Sequence, residues 1–196
     1  MNPEVQHLSH SFRTDAAHLI TKARCANDPT KAPNQRTSYI AKLIIDAYMA
    51  CECALKSMIA SSNASKTGVE VYRMIRHSGH DFRRLIKEAK PKKTSRADLD
   101  FLRQASKRGV NLRYSLDLFS LSNCSFLPND SVGFHPDQPY LLEFLRIAEV
   151  LRSEADEHHF ALGTTVTLKS SRELLKYVQR LRKITAKEKQ NKSRSH

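Results

Sequence analysis

Residues Thr37–Ser61 read TSYIAKLIIDAYMACECALKSMIAS, and this stretch decides the fold class. Its apolar positions Ile40, Leu43, Ile44, Ala47, Tyr48, Cys51, Ala54, Leu55, Met58 and Ile59 recur at spacings of three and four, the repeat of one side of an α-helix. The stripe is broad, which suits a helix enclosed by others at the centre of a bundle. On its N-terminal side, Phe12, Ala16, Leu19, Ile20 and Ala23 predict a helix from Phe12 to about Ala26. Asn27-Asp28-Pro29 ends it, and Lys31 to Asn34 reads as a loop.

On the C-terminal side, Ser61 to Gly68 reads as a loop and Val69 to His77 as a short helix ended by Ser78-Gly79. Asp81 is placed to cap the next helix, with Phe82, Leu85, Ile86 and Ala89 inward. Pro91 to Ser95 breaks it. Ser95, with Asp98 three residues on, approximates a capping box for a helix carrying Leu99, Leu102 and Ala105 and closed by Gly109. Residues 120–137 lack periodicity and read as a loop. Pro139 to about Leu162 is a strong helical pattern, with Leu141, Leu142, Leu145, Ala148, Leu151, Ala155 and His158 or His159 near one side and Gly163 as its stop. Thr164 to Leu168 is β-branched but has no partner strand in view. Ser170 or Ser171 begins a last helix with Leu174, Leu175, Val178, Leu181 and Ile184. The expectation is a single all-α domain over residues 1–187, a helical bundle of six or seven helices, with a charged tail at 188–196 that frays.

Composition narrows the classes further. With 196 residues the chain suits one domain, and 40% hydrophobic content with Gly 5 and Pro 7 excludes collagen-like and low-complexity sequences. Apolar runs of only a few residues cannot span a bilayer. The segment Met1 to His7 lacks the pattern of a signal peptide, so a cytoplasmic protein is expected. Cys25, Cys51, Cys53 and Cys124 have no C-x-x-C spacing and read as buried reduced thiols. There is no phosphate-binding glycine loop and no Gly-x-Ser-x-Gly elbow, so no cofactor is called for. Glu154 with His158, and His7 with His10, have spacings that could touch a metal, but no third ligand accompanies either pair, and no metal is expected.

The net charge of +13 is unevenly laid out. Residues 73–113 hold thirteen basic against four acidic residues, and 169–196 hold ten against two. Between them, 114–168 hold two basic against eight acidic. Arg83, Arg84, Lys87, Lys90, Lys92, Lys93 and Arg96 run along one helix and its exit, followed by Arg103, Arg108 and Arg113. The last helix adds Lys176, Arg180 and Lys183 at helical spacing. Such bands suit a phosphate backbone, and few aromatic residues interleave them to stack bases.

Ala47 to Met58, with an acidic residue ahead of Ala54-Leu55-Lys56, and Gly79-His80-Asp81-Phe82-Arg83-Arg84-Leu85 resemble two signatures of the HEPN family of small all-α domains. Leu112-Arg113-Tyr114 is similar to a third, and the HEPN-like part spans about 36–165. Taken on their own chemistry, Gly79, His80 and Asp81 make a helix–turn–helix joint, and Lys56 snorkels from an apolar helix. The resemblance implies a nucleic-acid partner, RNA first. Family ribonucleases are metal-independent and usually dimeric, and carry an Arg followed by four to six residues and a His. Imidazole suits the proton transfers and guanidinium the phosphate charge.

Arg152 with His158 or His159 fits that spacing. On a helix His159 returns to within about 20° of Arg152, roughly 10.5 Å along the axis, whereas His158 lies about 120° away. Ser153 departs from the family's usual Asn, Asp or His, and Glu154, Asp156 and Glu157 surround the pair with negative charge. The expectation is an RNA-binding HEPN-like homodimer, an endoribonuclease if Arg152 and His159 or His158 are active. The alternative is a silent module whose basic face meets nucleic acid or an acidic regulatory protein.

Overall fold

The computed structural model describes residues 2–27, 33–106 and 138–161, together with Gln179 and Lys183. Six helices and no strand occur among the described residues. They are α1 (Pro3–Ala26), α2 (Pro33–Ser62), α3 (Gly68–Ser78), α4 (Phe82–Ala89), α5 (described over 96–106) and α6 (Gln138–Phe160).

The centre is α2, as its broad stripe requires. Ile44, Ala47, Cys51, Ala54, Leu55, Met58 and Ile59 are fully enclosed, and α1, α4 and α6 pack around them. Phe144, Ile147 and Leu151 complete the core from α6, and Phe82 and Leu85 from α4. Tyr48 sits between Phe82 and Phe144, with ring centroids 4.5 and 6.0 Å away. Burying these side chains contributes about 1.5–3 kcal/mol each for the larger ones, the main stabilisation of the bundle.

Helix ends follow local chemistry. Asn2 accepts the Glu4 amide at 3.0 Å and Pro3 takes the first helical position, so α1 starts nine residues before Phe12. Pro33 likewise begins α2 inside the stretch read as a loop. Thr67 and Glu70 form a reciprocal capping box for α3. Gly79 ends it at φ +60°, a region costly for any side chain, and turns the chain sharply. Asp81 caps α4, accepting the Arg83 amide at 2.9 Å. Ser95 accepts the Asp98 amide at 3.1 Å, as expected of the cap of α5.

Two side-chain expectations are corrected. Leu142 is exposed because Leu141 and Leu145 take the inward positions of α6. Cys25 is exposed near the end of α1, whereas Cys51 and Cys53 are both buried although they point apart, because α2 is covered on several sides. Burial pushes the Cys51 thiol up. Gly109, the 112–114 stretch, Cys124, the 120–137 loop, Gly163, Thr164 to Leu168, the last helix and the 188–196 tail lie outside the described residues, apart from Gln179 and Lys183, both helical and exposed. No described helix is long and apolar enough to cross a membrane.

Candidate functional site

Among the described residues, the first basic band is exposed along α4 and its exit loop. Arg83, Arg84 and Lys87 project from the outer side of α4, opposite the buried Phe82, Leu85, Ile86 and Ala89. Lys90 ends the helix in a left-handed conformation at φ 51°, and the chain leaves through exposed Lys92, Lys93 and Arg96. Arg84 donates to the His77 carbonyl at 3.2 Å and lies near Asp81. Arg83, Lys87, Lys90, Lys92 and Arg96 make no ion pair among the described residues.

The loop carrying these lysines is fastened from beneath. Glu154 on α6 is 2% exposed, and its carboxylate accepts the backbone amides of Lys92 and Lys93, the latter at 3.2 Å. The Thr94 hydroxyl donates to the same carboxylate at 3.3 Å. Three residues on along α6, Glu157 meets Lys93 Nζ at 2.5 Å. Glu154 is therefore turned toward the loop. No group of three or more His, Cys, Asp or Glu among the described residues is arranged to hold a metal. Arg108, Arg113, Lys176 and Arg180 lie outside the described residues, and Lys183 is exposed.

The Arg–His pair is divided by its neighbours. Arg152 is exposed and pairs with Asp156 at 3.2 Å, one turn along α6. His159 is 5% exposed, its Nδ1 3.1 Å from Ser9 Oγ on α1. His158 is half-buried with Nδ1 3.5 Å from Ser62 Oγ. Beneath His159, Ser57 donates to the Ser9 carbonyl and Ser61 to the Ser57 carbonyl, each at 3.0 Å. Ser9 Oγ lies 2.7 Å from Ser61 Oγ. The hydrogens of Ser57 and Ser61 are thus committed to carbonyls, and that of Ser9 serves Ser57, Ser61 or His159.

Two groups from α1 complete this seam. Arg13 donates to Asp156 at 3.0 Å, lies 3.3 Å from His10 Nδ1, and stands over the Phe160 ring at 5.3 Å. The His10 and His159 rings are 5.9 Å apart. Desolvation, then the Arg13 charge, lowers both imidazoles below the ordinary value; Asp156 opposes this at His159. Both are therefore neutral near pH 7. His10 and Arg13 were not readable as partners of α6, since 143 residues separate Arg13 from Asp156. The only signal was their own spacing of three on one helix side.

A second polar group forms around the Gly79 turn. His80 Nδ1 donates to Glu52 on α2, 2.9 and 2.8 Å from its two oxygens, and Lys56 Nζ donates to Glu52 at 2.6 Å. Comparison with family models, curated proteins and solved structures returned no match to this chain.

Proposed function

We propose that this chain is an HEPN-like RNA-binding protein that grips the phosphate backbone with the exposed cations of α4 and its exit loop, and does not itself cleave what it holds. The observation that carries the reading is the buried Glu154 carboxylate fixing the Lys92–Thr94 backbone, so that Lys92 and Lys93 project from a rigid support. Arg83, Lys87, Lys90, Lys92 and Arg96, without ion pairs among the described residues, have counterions to release when phosphate arrives. On α6, the buried Glu154 holds this loop and the exposed Glu157 pairs with Lys93. In this reading the basic residues Lys176, Arg180 and Lys183 of the sequence also contact phosphate, and a homodimer would double the contacts.

The absence of cleavage rests on His159, buried against Ser9, and on Arg152, neutralised by Asp156. The direct test is retention of structured RNA at low salt. Arg83→Glu combined with Lys87→Glu and Lys92→Glu should abolish it; retention equal to the parent protein would overturn the proposal.

A second reading, metal-independent cleavage, is favoured by one specific observation: two neutral imidazoles, His10 and His159, flank the Arg13 guanidinium. One neutral imidazole could accept the proton of the attacking hydroxyl and, once charged, return it to the leaving oxygen while guanidinium balances phosphate charge. Cleavage in EDTA that His10→Ala and His159→Ala abolish would establish it; no cleavage, or cleavage indifferent to those variants, would exclude it.

A further inference from the structure

A cavity of about 280 Å³ opens between α1, α2, α3 and the Gly79 turn. One wall is built around Glu52, which is 1% exposed. Its two donors, Lys56 Nζ and His80 Nδ1, both line the cavity. Tyr48, one turn earlier on α2, donates to the His80 carbonyl at 3.0 Å, so α2 holds both the backbone and the ring of His80. The carboxylate fixes the ring's tautomer, with the hydrogen on Nδ1. The positive φ of Gly79 brings His80 back over α2.

Other elements supply different chemistry. Arg76 from the last turn of α3 is exposed and lines the same cavity. Phe12 and Tyr72 add aromatic surface, and Lys56 Nζ already lies 5.8 Å from the Phe12 ring centroid. Asp15 is the acidic residue of the lining. Desolvation raises its carboxyl, with His18 opposing. Arg76, Lys56 paired with Glu52, and an oriented imidazole therefore converge on a space with aromatic walls.

We propose that this cavity binds a phosphomonoester carried on a small aromatic ring, with the phosphate at Arg76, Lys56 and His80 and the ring against Phe12 and Tyr72. Guanidinium and ammonium donate to a phosphate's acceptor oxygens, and Nε2 of His80, its Nδ1 hydrogen given to Glu52, accepts from the hydrogen of a singly protonated phosphomonoester. The volume lies near the lower end for small-molecule sites, roughly 300 Å³ upward, which limits the occupant to about one ring and its phosphate. That chemistry has two sources, a free metabolite-sized molecule or the phosphorylated end of an RNA. The inference does not rest on RNA binding by α4, whose cations lie outside this lining.

The test is titration of the full chain with phenyl phosphate, inorganic phosphate and matched dinucleotides bearing a 5′-phosphate or a 5′-hydroxyl, followed by calorimetry and by imidazole NMR signals. Phenyl phosphate should bind at least tenfold more tightly than inorganic phosphate and shift the His80 signal. Arg76→Gln should weaken it about tenfold, Asp15→Asn should strengthen it severalfold, and Arg83→Glu should leave it unchanged. Equal binding to the parent protein and Arg76→Gln, or an unmoved His80 signal, would overturn the proposal. A tenfold preference for the 5′-phosphorylated dinucleotide over phenyl phosphate assigns the site to an RNA end; the reverse preference assigns it to a free molecule, and both support the site.

Discussion

Glu154 on α6 and Lys93 in the loop after α4 are joined through the backbone, the Lys93 amide standing 3.2 Å from the Glu154 carboxylate while the Lys93 side chain reaches out to Glu157. A buried acid thus positions a basic surface without cancelling it. Glu154→Ala leaves the amides of Lys92 and Lys93 and the Thr94 hydroxyl without their acceptor. Loss of a charged acceptor from buried donors costs about 1–3 kcal/mol. Urea unfolding should show that loss, and hydrogen exchange at Lys92 and Lys93 should accelerate. Unchanged exchange at these two amides would contradict the anchoring role.

The α1–α6 seam predicts a pH dependence of stability. His10 and His159 have folded values below the ordinary 6.5, so the unfolded chain takes up protons first as pH falls. Their contribution is complete above about pH 6.5 and is lost as pH falls from there through the folded values. Melting temperature measured from pH 7.5 to 5 should decline, and His159→Asn should flatten the decline. A steeper decline in that variant would refute the assignment.

Gly79→Ala places a methyl group at φ +60° without a clash to blame, since the nearest atom to the new carbon is the Arg76 carbonyl at 4.0 Å. The cost is conformational and on the order of 1–3 kcal/mol. For a chain of this size that lowers the melting temperature by roughly 2–4 °C per kcal/mol. Thermal unfolding of this single variant checks it, and an unchanged midpoint would contradict the strained turn.

Periodicity carried the sequence reading where the inward positions are apolar, as in α2 and α4. It missed the first nine residues of α1, because the inward positions there include Gln6 and Ser9, polar side chains that are buried beside Val5 and Leu8. The start signal, Asn2 followed by Pro3, was present but stood ahead of a pattern without an apolar repeat. Glu154 could not be told from Asp156 and Glu157 along the chain. What separates them is the Lys92–Thr94 backbone, about sixty residues away, whose amides need an acceptor. The seam has the same character: Ser9 and His159 are 150 positions apart, and no local spacing reports their contact. Arg152 and His159 were placed on one side of α6 by helix geometry alone, whereas α1 covers His159 and leaves Arg152 in solvent beside Asp156.

The central claim is that the cations of α4 and its exit loop hold an RNA phosphate backbone. The most direct measurement is the dependence of RNA affinity on salt, comparing the parent protein with Arg83→Gln, Lys87→Gln and Lys92→Gln singly and together. Each phosphate contact removed should lower the slope of log affinity against log salt by about 1, with affinity falling evenly across RNA sequences. A parent slope near zero, or a triple variant with the parent's slope, would contradict the account.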